Sequence, residues 1–227
     1  MTRRTNARIA GYTFLIYIAA GITSLILSGR ATGGVGTAAR LASVAEHTTT
    51  MGVVVLLSLL MSFCALVLGV TLYAITRDQD PDLAMMGLVC RVIEGATDGL
   101  STTLGLLWLA TATGPNAPDS ETARMIGTFL FMPGAATGAI FFAVGSTLFS
   151  WLMLRGRMVP VALARLGVVA SALLVVILPL QLAGFFGGSY LTFFAAATWL
   201  VWLPALVFEL WLALWLIIKG VAAPATR

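Results

Sequence analysis

Six long apolar stretches, separated by short polar or glycine-containing segments, set the plan of this chain. The first three run from about Ile9 to Leu27, Met51 to Ile75 and Leu83 to Leu109. The last three run from about Ile126 to Leu154, Val161 to Phe185 and Tyr190 to Ile218. Each is at least as long as the ~18 residues that mark a membrane-crossing helix. The pattern predicts an all-α polytopic bundle with six transmembrane helices, in which residues 1–227 form one membrane domain. The first stretch exceeds the roughly 7–15 apolar residues of a secretory signal, so a retained helix is expected there.

The connections carry their own signals. Val35 to Glu46 sets Val35, Ala38, Leu41, Ala42 and Ala45 apart from Arg40 and Glu46, which fits a helix lying on the membrane surface or an ordinary loop. Pro81 and Asp82 suit the first turn of the third helix, where a carboxylate favours the N-terminus. Pro133, Pro179 and Pro204 fall inside the last three helices and predict kinks. Gly134, Gly138 and Gly145 give the fourth helix a small-residue side for close packing.

The third stretch breaks the apolar pattern. It carries Arg91, Glu94 and Asp98, whose offsets place them within about 60° of one another around a helix. Ala84, Gly87, Gly95, Thr102 and Gly105 share that side, while Val89, Ile93, Ala96, Leu100, Leu104 and Leu107 take the other. Lipid cannot solvate the charged face, so the other helices must cover it. At 1.5 Å per residue, Arg91 lies roughly 12 Å, Glu94 about 16 Å and Asp98 about 22 Å from the helix start. Glu209 lies about 15 Å before the end of the sixth helix at Lys219. An Arg91–Glu94 or Arg91–Glu209 pair is therefore within geometric reach.

Composition sharpens the picture. The chain of 227 residues is 59% hydrophobic and only 10% charged, against roughly a quarter charged in soluble domains. Its net charge of +4 reads as a topology signal rather than as nucleic-acid affinity. Of 13 Lys and Arg residues, Arg30, Arg40 and Arg124 fall in the loops opposite the N-terminus, Arg91 is intramembrane, and the other nine lie on the N-terminal side. That asymmetry predicts a multi-pass protein of a prokaryotic inner (plasma) membrane with both termini cytoplasmic. Trp108, Trp151 and Trp215 are expected at interfaces, and Trp199, Trp202 and Trp211 between helices.

Candidate chemistry centres on Arg91, Glu94, Asp98 and Glu209. Each buried charge costs about 2.5–3.5 kcal/mol to insert, so four unpaired would cost on the order of 10 kcal/mol. One arginine against three carboxylates leaves an excess of negative charge, which protonation, water or a bound cation must balance. The functional reading is a site that handles a proton, a cation or a small polar ligand. The alternative is a non-catalytic membrane scaffold or regulatory partner, with a structural Arg–Glu clamp and a small-residue face such as Gly134/Gly138 for another chain. Enzymatic activity is disfavoured. His47 is the only histidine, Cys64 and Cys90 lack metal-ligand spacing, and no P-loop or Ser/His pair stands within a span. No catalytic residue, cofactor or metal is assigned. Membrane lipids are the expected partners, nucleic acid is not, and the sequence gives no oligomeric state.

Several segments together resemble a family. These are Ala7-Arg8-Ile9-Ala10-Gly11 with Gly21-Ile22, Leu83 to Gly95 with Arg91-Val92-Ile93-Glu94, and Phe141-Phe142-Ala143-Val144-Gly145-Ser146. The Leu154 to Pro160 turn and Glu209-Leu210-Trp211 through Lys219-Gly220 complete the set. Over nearly the whole chain they resemble the prokaryotic six-span integral membrane family known as domain of unknown function 4386. Phe131-Met132-Pro133-Gly134 stands where a more polar entry to the fourth helix is expected. The resemblance implies the fold and the membrane location, and it supplies no activity.

Overall fold

In a computed structural model of the protein, the described residues are 1–113, 134–183, 185 and 190–222. The expected kink at Pro133, the loop beyond Thr113 and the Gly187-Gly188-Ser189 turn lie outside them. The described part of each apolar stretch contributes one helix: α1 (Arg3–Ala31), α3 (Thr48–Thr76), α4 (Pro81–Thr113), α5 (Gly134–Arg155), α6 (Val161–Leu182) and α7 (Tyr190–Ile218). A short α2 (Thr37–Glu46) lies between the first two. No strand occurs among the described residues.

Five of these helices, α1, α3, α5, α6 and α7, are long and apolar enough to cross a membrane. The sixth expected span is α4. Its 33 residues extend for about 50 Å, ample for a bilayer, but its polar and charged side chains set it apart from the other five in composition. The same charges that make α4 the organising element keep it out of that group of five.

The six long helices close into a ring. α1 packs on α3, α3 on α4, α4 on α5, α5 on α6, α6 on α7, and α7 returns to α1. Glycines permit the closest approaches. A methyl group at Gly11 of α1 would come within 2.7 Å of the Ala213 carbonyl on α7, and one at Gly95 of α4 within 2.9 Å of the Ser62 carbonyl on α3. Gly138 faces Thr97 of α4, so this member of the small-residue side is spent inside the bundle rather than offered to another chain. The lipid-type face of α4 is as expected, with Val89, Leu100 and Leu107 exposed and Ala84, Gly87 and Gly95 buried.

One end of the ring gathers both termini. Arg3 pairs with Asp78, and Arg155 approaches Asp80 at 3.4 Å. The Ala222 N–H donates to the Met158 carbonyl at 2.9 Å. Asp80, just ahead of Pro81, caps α4 by accepting from the Leu83 N–H at 3.1 Å. The first turn of α1, the 77–80 turn, the 155–160 turn and the exit from α7 thus share one end, as the distribution of basic residues requires.

Two local expectations change. α2 buries Val44 and partly buries Leu41 against Ala31, Met51 and Val54, while Ala38, Ala42 and Ala45 are exposed. The bulkier side chains win the packed face. Trp202 does lie between helices, its ring 5.7 Å from that of Phe142. Trp211 instead turns outward and is 45% exposed, because Leu212, Ala213 and Leu216 occupy the inward side of that turn.

Candidate functional site

Arg91 sits where both α3 and α5 approach α4 closely. A methyl group at Gly69 of α3 would lie 2.9 Å from the Arg91 Cβ, and one at Gly145 of α5 would lie 3.7 Å from its Cγ. Two glycines on opposite neighbours therefore form a slot that passes the side chain into the ring. The head group ends 4.8 Å from the Phe142 ring centre and 5.9 Å from that of Phe14, within cation–π range. Arg91 is 1% exposed, the largest of the fully buried side chains among the described residues.

The guanidinium is divided among three helices. Its Nη1 donates to both oxygens of Glu94, at 3.0 Å to Oε2 and 3.2 Å to Oε1. Its Nη2 donates to Ser146 Oγ of α5 at 3.0 Å and stands 3.9 Å from Glu209 Oε1 of α7. Glu94 gains a further donor from α1, the Tyr17 hydroxyl at 2.7 Å from Oε1. Glu94 is 1% and Glu209 6% exposed. Two buried carboxylates thus share one arginine, unequally. Glu94 receives three donor contacts, whereas Glu209 Oε1 receives no hydrogen bond. Arg91 Nε and Ser150 Oγ are also buried without a hydrogen-bond partner.

Both pairs within reach from the sequence are present, and Arg91, Glu94 and Glu209 are brought together. Asp98 is one turn beyond Glu94 on the same face and only half-buried, so it borders this triad rather than closing it. Sequence reasoning missed Tyr17, Ser146, Phe14 and Phe142. A faint signal existed for Tyr17: it continues the spacing of Ala7, Ala10 and Phe14 along α1, which is the buried side of that helix. Cys64 and Cys90 are buried and free. Among the described residues no group of three His, Cys, Asp or Glu side chains is placed to hold a metal ion.

Apolar packing lies on both sides of the triad. Toward the end with the termini, Phe14, Leu68, Leu72, Phe149, Phe208 and Leu212 belong to one continuous core. On the other side, Phe142, Ala170, Leu174 and Ala205 join α5, α6 and α7. In such surroundings ion pairs are weakly screened and an uncompensated charge is expensive. In comparisons with known proteins, residues 9–220 match the profile of the family described as Domain of unknown function (DUF4386). No curated protein and no solved structure matches.

Proposed function

The chain belongs to the DUF4386 family, and we propose for it the function of a multi-pass membrane protein that binds a proton, a cation or a small polar ligand at Arg91, Glu94, Glu209 and the bordering Asp98. One observation carries the reading: two carboxylates buried at the centre of the ring, Glu94 and Glu209, have a single guanidinium between them. The excess negative charge favours a ligand that neutralises it or satisfies its open acceptor. In this reading α4 is the sixth span, its polar face turned to the ring. The protein resides in a prokaryotic plasma membrane with both termini cytoplasmic, on the strength of the basic residues gathered at that end. Catalysis is no part of the proposal.

The test is thermal unfolding of the purified protein in detergent across pH, and with sodium, potassium or small polar solutes. Wild type is run beside Glu209→Gln and Glu94→Gln. Ligand binding to the folded state raises the unfolding temperature by mass action. A condition-dependent shift in wild type that is lost in Glu209→Gln supports the site. A flat wild-type profile, with both variants simply less stable, removes it.

A second reading draws on Glu94 alone. Its three donor contacts make the Arg91–Glu94–Tyr17 group a clamp that fixes α1 against α4. In a scaffold, that clamp is the whole role of the cluster, and the flat profile is its signature.

A further inference from the structure

We infer that Glu209, rather than Glu94 or Asp98, is the member of this cluster that takes up and releases a proton, and that Arg91 answers the exchange. The inference rests on the ligand-site reading above and narrows it to one atom group and one ligand. Its grounds are the different surroundings of the three carboxylates.

Glu94 is occupied. Arg91 Nη1 reaches both of its oxygens, and the Tyr17 hydroxyl takes Oε1. Protonation there would turn away at least one of these donors and leave a buried guanidinium short of its partner. Asp98 also has a buried oxygen, Oδ2, that accepts no hydrogen bond, but its side chain as a whole is only half-buried, at the border of the site. Glu209 is buried, 6% exposed, and unlike Glu94 has an oxygen, Oε1, that accepts no hydrogen bond. Its nearest positive group, Arg91 Nη2, is 3.9 Å away and already donates to Ser146.

Charge decides what Glu209 takes. Arg91 and Glu94 already form a neutral pair, so Glu209 adds one uncompensated negative charge. A proton cancels it without new space. An alkali cation would have to sit beside a guanidinium 3.9 Å from the same oxygen and find several oxygen ligands. The charged groups acting on Glu209 are Arg91 and Glu94 from α4; Tyr17 of α1 reaches the cluster through Glu94. From α5, the Ser146 hydroxyl meets the guanidinium. Among the described residues, the one charged side chain of α6, Arg165, is exposed.

The step is an acid–base exchange. The Glu209 O–H bond breaks, the proton passes to water, and the carboxylate left behind draws Arg91 Nη2 from Ser146. Proton release thereby exchanges an α4–α5 contact for an α4–α7 contact across the ring, while the Nη1–Glu94 pair persists.

Infrared difference spectroscopy between acidic and alkaline pH, on the protein in lipid nanodiscs, tests this directly. The expected result is a protonated-carboxyl C=O band that titrates and moves when glutamate is ¹³C-labelled. That band is absent in Glu209→Gln, present in Glu94→Gln and Asp98→Asn, and unaffected by sodium or potassium. Because labelling needs no variant, the glutamate assignment survives a variant that fails to fold. A band that moves with ¹³C-aspartate, or that vanishes in Glu94→Gln instead, overturns the assignment to Glu209 and leaves the site reading in place. An alkali-cation shift in unfolding temperature without any carboxyl band replaces the proton by a metal cation, and so overturns the inference. No band and no response to any ligand overturns both.

Discussion

The protein makes the same kind of ion pair in two very different places. At the end that carries the termini, Arg3–Asp78 and Arg155–Asp80 bind loops to one another with side chains that are about a quarter to a half exposed. At the centre of the ring, Arg91–Glu94 is 1–2% exposed and lies in apolar packing. Water already satisfies the first set, so closing those pairs gains little. Nothing but the protein satisfies the second, so its worth lies in what happens when it is opened. The contrast separates pairs that staple an end from a pair that the whole ring must be built around.

The largest expected effect follows from opening the central pair. Arg91→Met leaves Glu94 and Glu209 buried with no cation between them. A loss of about 3–5 kcal/mol is expected, as for other buried pairs broken on one side. Arg91→Met/Glu94→Gln should be less destabilised than Arg91→Met alone, because it removes one stranded charge with its partner. Reversible unfolding in mixed micelles measures both. If the double variant is the weaker, stranded charge is not what makes Arg91→Met costly.

The next effect concerns how Arg91 and Glu94 are held. Tyr17→Phe removes a charge-assisted hydrogen bond of 2.7 Å to Glu94, worth about 1.5–3 kcal/mol. Gly69→Ala places a methyl 2.9 Å from the Arg91 Cβ, and relieving that overlap should cost about 1–3 kcal/mol. The two differ in kind. Tyr17→Phe should act only through Glu94, so in a Glu94→Gln background most of its cost should vanish in a double-mutant cycle. Gly69→Ala should keep its cost there, since the clash is with the arginine stem.

These cases also show what the sequence could and could not disclose. The helix boundaries came from apolar length, and the sixth stretch, Tyr190 to Ile218, coincides with α7. The Arg91–Glu94 pair was legible because three residues along one helix fix both spacing and face. Glu209 was legible by depth alone, since counting from each helix end brings two distant segments to one level. Depth without azimuth, however, cannot say which neutral residues complete a site. Tyr17 and Ser146 are ordinary span residues until the ring closes and turns them inward. The same blindness placed Asp98 on equal terms with Glu94, although only the latter lies deep enough to share the guanidinium. It also put Trp211 between helices, where hydrophobicity alone could not separate a lipid face from a packed one.

The smallest effect is the one that fixes the other side of the comparison. Arg155→Ala removes a pair with Asp80 at 3.4 Å, and should cost about 0.2–1 kcal/mol at low ionic strength. Raising salt to about 1 M shortens the screening length to about 3 Å, so wild type and Arg155→Ala should then converge. The deficit of Arg91→Met should persist at the same salt, because a buried pair is screened far less than an exposed one. Asp80 also caps α4 through the Leu83 N–H, a bond that Arg155→Ala leaves intact. Asp80→Ala should therefore cost more than Arg155→Ala, by about the 0.5–2 kcal/mol of a lost N-cap, and that extra loss should remain in high salt. If Arg155→Ala keeps its full deficit in salt, the end pairs are not solvent-screened staples, and the division between the two regions fails there.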